Sequence, residues 1–348
     1  MFRSSSSIRS YSKPLGPGCR RRSWVMLGAA AAFAALFAVG SAVASDRPMT
    51  KAVVRLKWVH QAQFAGFYAA QEKGLYHAAG LDVEIRPGGV DFPAIQMVAS
   101  GSEDFGVAGA DQILLARAKG VPVVALATIY RRTPFVLFAL KKSGIANMKD
   151  FVGRQVGVKL GGNEELTYRA MLKSAGVDGS KVHEIPVKYD ISPLLAGKID
   201  VWPGYVINEV LAAQEKGAEL NVIHPGDYNI NFYADTLFTR ESVIKNNPGL
   251  VKAFVQATMS GWAYAIAHPD EAADFGRKFG HELNAAHERA MMNASIPLLR
   301  PNQPPLGKME VDEWRSLHDQ LVALGFLKHP VDLDEAYTNR FLVGAASP

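Results

Sequence analysis

From Ser45 onward, short apolar runs rich in β-branched residues alternate with helical stretches that close on glycine, the pattern of parallel βαβ units. Strands are expected over 53–58 and at LDVEI, DFGVAG, VPVVALATIY, QVGVKL, HEIPV, KIDVWPGY and ELNVIHP. Asp91, Asp111 and Asn163 read as N-caps of the helices between them, and Gly101, Gly120 and Gly176 as their stops. From Asn247 the pattern changes to helices only. A length of 348 residues suffices for two domains, and an apolar fraction of 48% excludes a disordered chain.

Within this alternation the stretch KWVHQAQFAGFY, 57–68, marks a strand opening into a helix. The apolar residues Val53, Val54, Leu56 and Trp58 give way to the amide-rich HQAQ, and from Phe64 apolar positions recur at three- and four-residue steps up to a stop at Gly74. Trp58, His60, Gln61 and Gln63 are therefore expected at the carboxyl end of a strand. In open α/β sheets that edge is where ligands bind, because loops leave the sheet there and helix N-termini point N–H groups into the crevice.

The formal charge of +5 belongs to the first 44 residues, which carry six bases and no acid; setting those aside leaves 32 bases against 33 acids. The near-neutral remainder offers no basic surface for nucleic acid. Residues 1–44 have the parts of an export signal: the cluster CRRR, the apolar run 25–39 and Ala42-Val43-Ala44 as a small-x-small cleavage site. Cleavage is expected after Ala44, and Arg21-Arg22 leaves a twin-arginine route open beside the general one. The single cysteine, Cys19, precedes the apolar run, so the mature chain is expected to have neither disulfide nor thiolate chemistry.

Three stretches in order, KWVHQAQFAGFYAAQEKGLYHAAGLDVEI, VASGSEDFGVAGADQILLARAKGVPVVALA and GKIDVWPGYVINE, resemble the NMT1/THI5-like group of periplasmic solute-binding proteins. The resemblance implies a type II periplasmic binding protein fold, two α/β lobes joined by two crossover strands at PFVLFAL and DTLFTR. Lobe one is then 46–133 plus 236–348, and lobe two 134–235. It implies a monomeric carrier that works with the membrane permease of an ABC importer. Members include carriers of thiamine pyrimidine precursors, in which an aromatic pair stacks on the heterocycle and an acid bonds its exocyclic amine. Matching positions are Trp58, Tyr205 and Glu209, with Asn208 between the last two. One departure is Lys57, where that branch often has Asp or Asn; if it points inward, the ligand should carry a carbonyl, carboxylate or phosphate, and flavins, sulfonates or nitrate become alternatives.

Asp111 is a ligand candidate as well as a cap, and Gly161-Gly162-Asn163 at a helix start offers N–H groups to an anion, opposed by Glu164 and Glu165. Arg131 and Arg132 read as solvated hinge residues and Trp202 as core. The nine histidines show no metal-ligand spacing, so no metal and no cofactor are expected. The same resemblance includes a pyridoxal phosphate-dependent pyrimidine synthase branch. Its lysine and histidine positions fall on Ala108 and Gln112, so no enzyme activity is expected. A ligand-sensing subunit would have the same two lobes and differ only in its partner.

Overall fold

In the computed structural model, residues 48–89, 91–160, 162–280, 282–299 and 305–342 are described; the expected export signal lies outside them. β1 (Thr50–Arg55) is followed by a 3-10 turn (Ala62–Phe64), α1 (Ala65–Glu72), α2 (Leu75–Ala78) and β2 (Leu81–Arg86). Next come α3 (Ala94–Ala99), β3 (Phe105–Ala108), α4 (Ala110–Ala118), β4 (Val123–Thr128), β5 (Phe135–Leu140) and β6 (Gln155–Val158). α5 (Asn163–Ser174), β7 (His183–Pro186), α6 (Ser192–Leu195), β8 (Val201–Tyr205), α7 (Glu209–Glu215), β9 (Leu220–Ile223) and β10 (Thr236–Arg240) continue the chain. Only helices follow: α8 (Glu241–Asn246), α9 (Pro248–Ala267), α10 (Pro269–Gly276), α11 (Ala285–Leu299), α12 (Val311–Ala323) and α13 (Leu333–Ala336).

The strands form two five-stranded sheets, ordered β2-β1-β3-β10-β4 and β7-β6-β8-β5-β9. β1 runs parallel to β2 and β3, whereas β10 is antiparallel to both β3 and β4. The second sheet repeats the scheme: β6 is parallel to β7 and β8, and β5 is antiparallel to β8 and β9. The chain therefore leaves the first sheet after Thr128 and returns to it at Thr236.

Burial follows position. β2 alternates buried and exposed residues, as a strand with one wet face must, while all of β4 is buried. β4 is last in the sheet order, and the C-terminal segment covers it by bridges from Tyr337 to Ala125 and from Gly307 to Thr128. α1 packs directly on α9 because both carry glycine at the crossing: a Cβ on Gly66 would stand 2.2 Å from the Trp262 ring, and one on Gly261 2.2 Å from the Gly66 carbonyl oxygen. Trp202 is core, as its sequence context suggests.

The expected strands form, but three caps differ. α3 begins behind Pro93 rather than at Asp91, because the residue before a proline, here Phe92, is pushed out of the helical region. α4 and α5 begin behind Gly109 and Gly162, which moves Asp111 and Asn163 into the first turn. Gly109 is needed there because Asp111 folds back over it: a Cβ would meet Oδ1 at 2.1 Å. Nor are the hinge arginines both solvated. Arg131 is buried, donating to the Lys308 carbonyl and lying over the Tyr233 ring at 5.5 Å, and Arg132 pairs with Glu313 at 3.2 Å. These bonds tie the segment leaving the first sheet to the C-terminal part.

Candidate functional site: a cleft between the two sheets

The carboxyl ends of parallel strands in both sheets open onto one cleft of about 950 Å³. From the first sheet it is lined by Lys57, Trp58, Gln61 and Gln63 beyond β1, by Ala108 at the end of β3 and by Gln112 beyond it. From the second come Lys159, Asn163 and Glu164 beyond β6, Tyr189 beyond β7, Tyr205 at the end of β8, and Asn208 and Glu209 beyond it. β1 ends at Arg55, so Trp58 stands on a loop, held by the Gly88 N–H donating to its carbonyl oxygen at 2.8 Å.

Trp58 meets the second sheet edge-on, its ring 4.8 Å from Tyr189 at 70°. Lys57 also faces inward and crosses the cleft: Nζ donates to the Tyr205 hydroxyl at 2.7 Å and lies 3.5 Å from Asp235 Oδ1. Burial disfavours the ammonium. Tyr205 and the carboxylates of Asp235 and Glu164 outweigh it, and the pKa of Lys57 lies above the ordinary lysine range. Tyr205, pushed up by burial, stays protonated at neutral pH. Behind Lys57 runs a buried relay in which Gln61 Nε2 donates to Gln63 Oε1 at 2.6 Å and Gln63 Nε2 donates to Asp235 Oδ2 at 2.6 Å.

Of the residues singled out in the sequence, Trp58, Gln61, Gln63, Asn163, Tyr205, Asn208 and Glu209 line this cleft; His60 and Asp111 do not. His60 packs between Tyr68 and Phe279, its Nδ1 3.1 Å from the Tyr68 hydroxyl, and burial lowers its pKa so that it stays neutral. Asp111 is buried behind the wall with Oδ2 unpartnered, and burial pushes its carboxyl up to about 6 against the pull of Lys57. Trp58 and Tyr205 do not pair with each other in the structure; their partners are Tyr189 and Lys57. Glu209 is engaged at both oxygens, accepting from Lys159 Nζ at 2.6 Å and from the Tyr205 N–H at 2.8 Å. Tyr189, Lys159 and Asp235 escaped the sequence reading. The rule that placed Trp58 also applies to Tyr189 and Lys159, which stand just past β7 and β6. Among the described residues no group of His, Cys, Asp and Glu has the placement of a metal site, and no helix is long and apolar enough to cross a membrane.

The chain matches known proteins along most of its length. Over 311 residues it is 28% identical to the riboflavin-binding protein RibY of Chloroflexus aurantiacus, covering 86% of this chain and 88% of that protein. It is 26% identical to the formylaminopyrimidine-binding protein of Halalkalibacterium halodurans (84% and 91% covered). It is 23% identical to the 4-amino-5-hydroxymethyl-2-methylpyrimidine phosphate synthase of Legionella pneumophila (84% and 92%). The fold is that of a periplasmic binding protein: the sulfonate-binding protein SsuA from Methylobacillus flagellatus superposes with a TM-score of 0.64 at 17% identity, over 85% of this chain and 93% of that one. The desulfurization enzyme DSZB has the same fold, with a TM-score of 0.59 at 16% identity (83% and 97%). The sequence profile described as NMT1/THI5 like matches residues 61–272, more than half of the chain, and the protein belongs to that family.

Proposed function

We propose that the mature chain is the periplasmic substrate-binding protein of an ABC importer, and that it captures a small aromatic heterocycle, such as a thiamine pyrimidine precursor, between two closing lobes. The lobes are 46–133 plus 236–348 and 134–235, with residues 1–44 removed on export. One observation carries this reading: the cleft takes an aromatic side chain from each sheet, Trp58 on one side and Tyr189 and Tyr205 on the other. A ligand that touches both sides binds the closed arrangement better, and only such differential affinity shifts a hinge equilibrium. Mass spectrometry of small molecules that co-purify with the mature protein tests it; a preparation that carries no heterocycle and binds none in calorimetry removes the reading.

A larger ligand of the flavin kind is the second reading, favoured by size. At about 950 Å³ the cleft stands at the upper end of the ~300–1,000 Å³ typical of small-molecule sites, more than one pyrimidine ring fills.

Catalysis is not part of the proposal. An internal aldimine needs a neutral lysine amine. Ala108 and Gln112 do line the cleft, but neither supplies an amine or an imidazole, and of the lysines that line it Lys57 is paired with Asp235 and Lys159 with Glu209. Pyridoxal phosphate added to the protein should give no imine band that borohydride fixes at stoichiometric yield.

A further inference from the structure

We propose that Lys57 selects the ligand, and that it selects a neutral planar ring through a ring carbonyl with an adjacent N–H, in preference to rings that carry amines in those places or to anions. The inference rests on the heterocycle-binding reading above and, within it, favours a flavin-like ring over an amine-bearing pyrimidine precursor.

An ammonium has three protons to give. The bond to the Tyr205 hydroxyl and the contact with Asp235 take two, and the third has no partner among the described residues, on a side chain that lines the cleft. Lys57 therefore offers a donor. The relay behind it fixes an acceptor. The Asp235 carboxylate only accepts, so Gln63 must turn Nε2 toward it and present Oε1 to Gln61, which must in turn donate through Nε2. That leaves Oε1 of Gln61, also a cleft-lining residue, without a partner among the described residues. A charged donor and an amide acceptor, both past the end of β1 and both lining the cleft, are the two groups that the C=O and N–H of a lactam edge require.

An amine finds the opposite. The carboxylate that would suit it at the second sheet, Glu209, already accepts from Lys159 and from the Tyr205 N–H. A full anion gains little for a different reason: Asp235 balances the charge of Lys57 at 3.5 Å, and the other lining lysines, Lys119, Lys159 and Lys188, are matched by the lining acids Asp91, Glu164 and Glu209. A carbonyl oxygen accepts the free proton without adding charge.

Calorimetry with two probes of one size separates these cases: pteridine-2,4-dione, which has the lactam edge, and 2,4-diaminopteridine, which has amines in its place, with ethanesulfonate as the anion. The wild type should bind the dione at least about tenfold more tightly than the diamine, the scale of a charge-assisted hydrogen bond. In Lys57→Met the dione should weaken and the ratio should fall to near one. Because that variant leaves Asp235 without its cation, Lys57→Met/Asp235→Asn is measured beside it, with thermal melts to establish folding. The readout is the ratio, since a merely structural role lowers both affinities together. A ratio near one in the wild type, a ratio that survives in the folded double variant, or ethanesulfonate binding above both pteridines would overturn the inference and leave a binding cleft of another specificity. Binding of neither pteridine would remove the heterocycle reading with it.

Discussion

Trp58 is the one tryptophan among the cleft-lining residues, since Trp202, Trp262 and Trp314 are buried in the cores. Any ligand-dependent change in tryptophan fluorescence should therefore vanish in Trp58→Ala, and the affinity for an aromatic ligand should fall by ~1–3 kcal/mol through lost stacking and burial. An unchanged titration would place the ligand elsewhere. Asp111 predicts a pH dependence of stability. Its carboxyl, pushed up to about 6, keeps its proton in the folded chain where the unfolded chain, near 3.8, has lost it. The resulting stabilisation is complete below about pH 4 and disappears as pH rises through about 6, a span on the order of 2–3 kcal/mol. Asp111→Asn, which cannot ionise, should lose that part of the slope in urea denaturation series at pH 4 and 7; parallel slopes would refute the assignment. The cleft was legible where strand ends could be read: the aromatic, amide and acidic residues past β1, β6 and β8 reach it. What the chain order hid was partnership. Nothing in the spacing says that Glu209 meets Lys159 or that Lys57 meets Tyr205, because each pair joins residues from different βα units. His60 was misplaced because a polar residue in an amide-rich loop gives no sign of the aromatic packing supplied by Phe279, more than 200 positions away.

At the scale of elements, the α1–α9 crossing is the most demanding contact. The Gly66 Cα faces the Trp262 ring, so Gly66→Ala must push the tryptophan or the helix away, and an overpacked core of this kind costs ~1–3 kcal/mol. A lowered thermal midpoint with ligand specificity retained is the expected result. Strands were readable because their β-branched runs are bounded by glycine, and helix stops because Gly101, Gly120 and Gly176 take left-handed backbone angles. Helix starts were less so. At α4 and α5 a glycine precedes the polar residue and takes the boundary position, so the polar residue falls inside the first turn.

On the scale of the molecule, contacts that span the two sheets should resist the opening that the proposed capture between two lobes requires. Besides Lys57–Tyr205 and Trp58–Tyr189, His287 on α11 reaches α7, with Nε2 3.0 Å from Asn208 Oδ1 and Nδ1 3.0 Å from Glu215 Oε1. Lys173 on α5 donates to the Ala323 carbonyl oxygen at the end of α12 at 2.6 Å. His287→Ala removes a bridge between α11 and α7 without touching Lys57, so stopped-flow release of bound ligand should accelerate several-fold. Release at the wild-type rate would exclude the bridge from closure. Export carries its own check: N-terminal sequencing of periplasmic material should begin at Ser45. The antiparallel place of β10 also dictates an order of assembly. Because β10 lies between β3 and β4, the sheet begun at residue 50 has a gap in its middle until residues 236–240 have emerged, whereas every strand of the other sheet comes from the contiguous run 135–223. A chain delivered N-terminus first therefore completes its inserted half before its first half, and until then it holds the unpaired edges of β3 and β4 open to whatever guards it in transit.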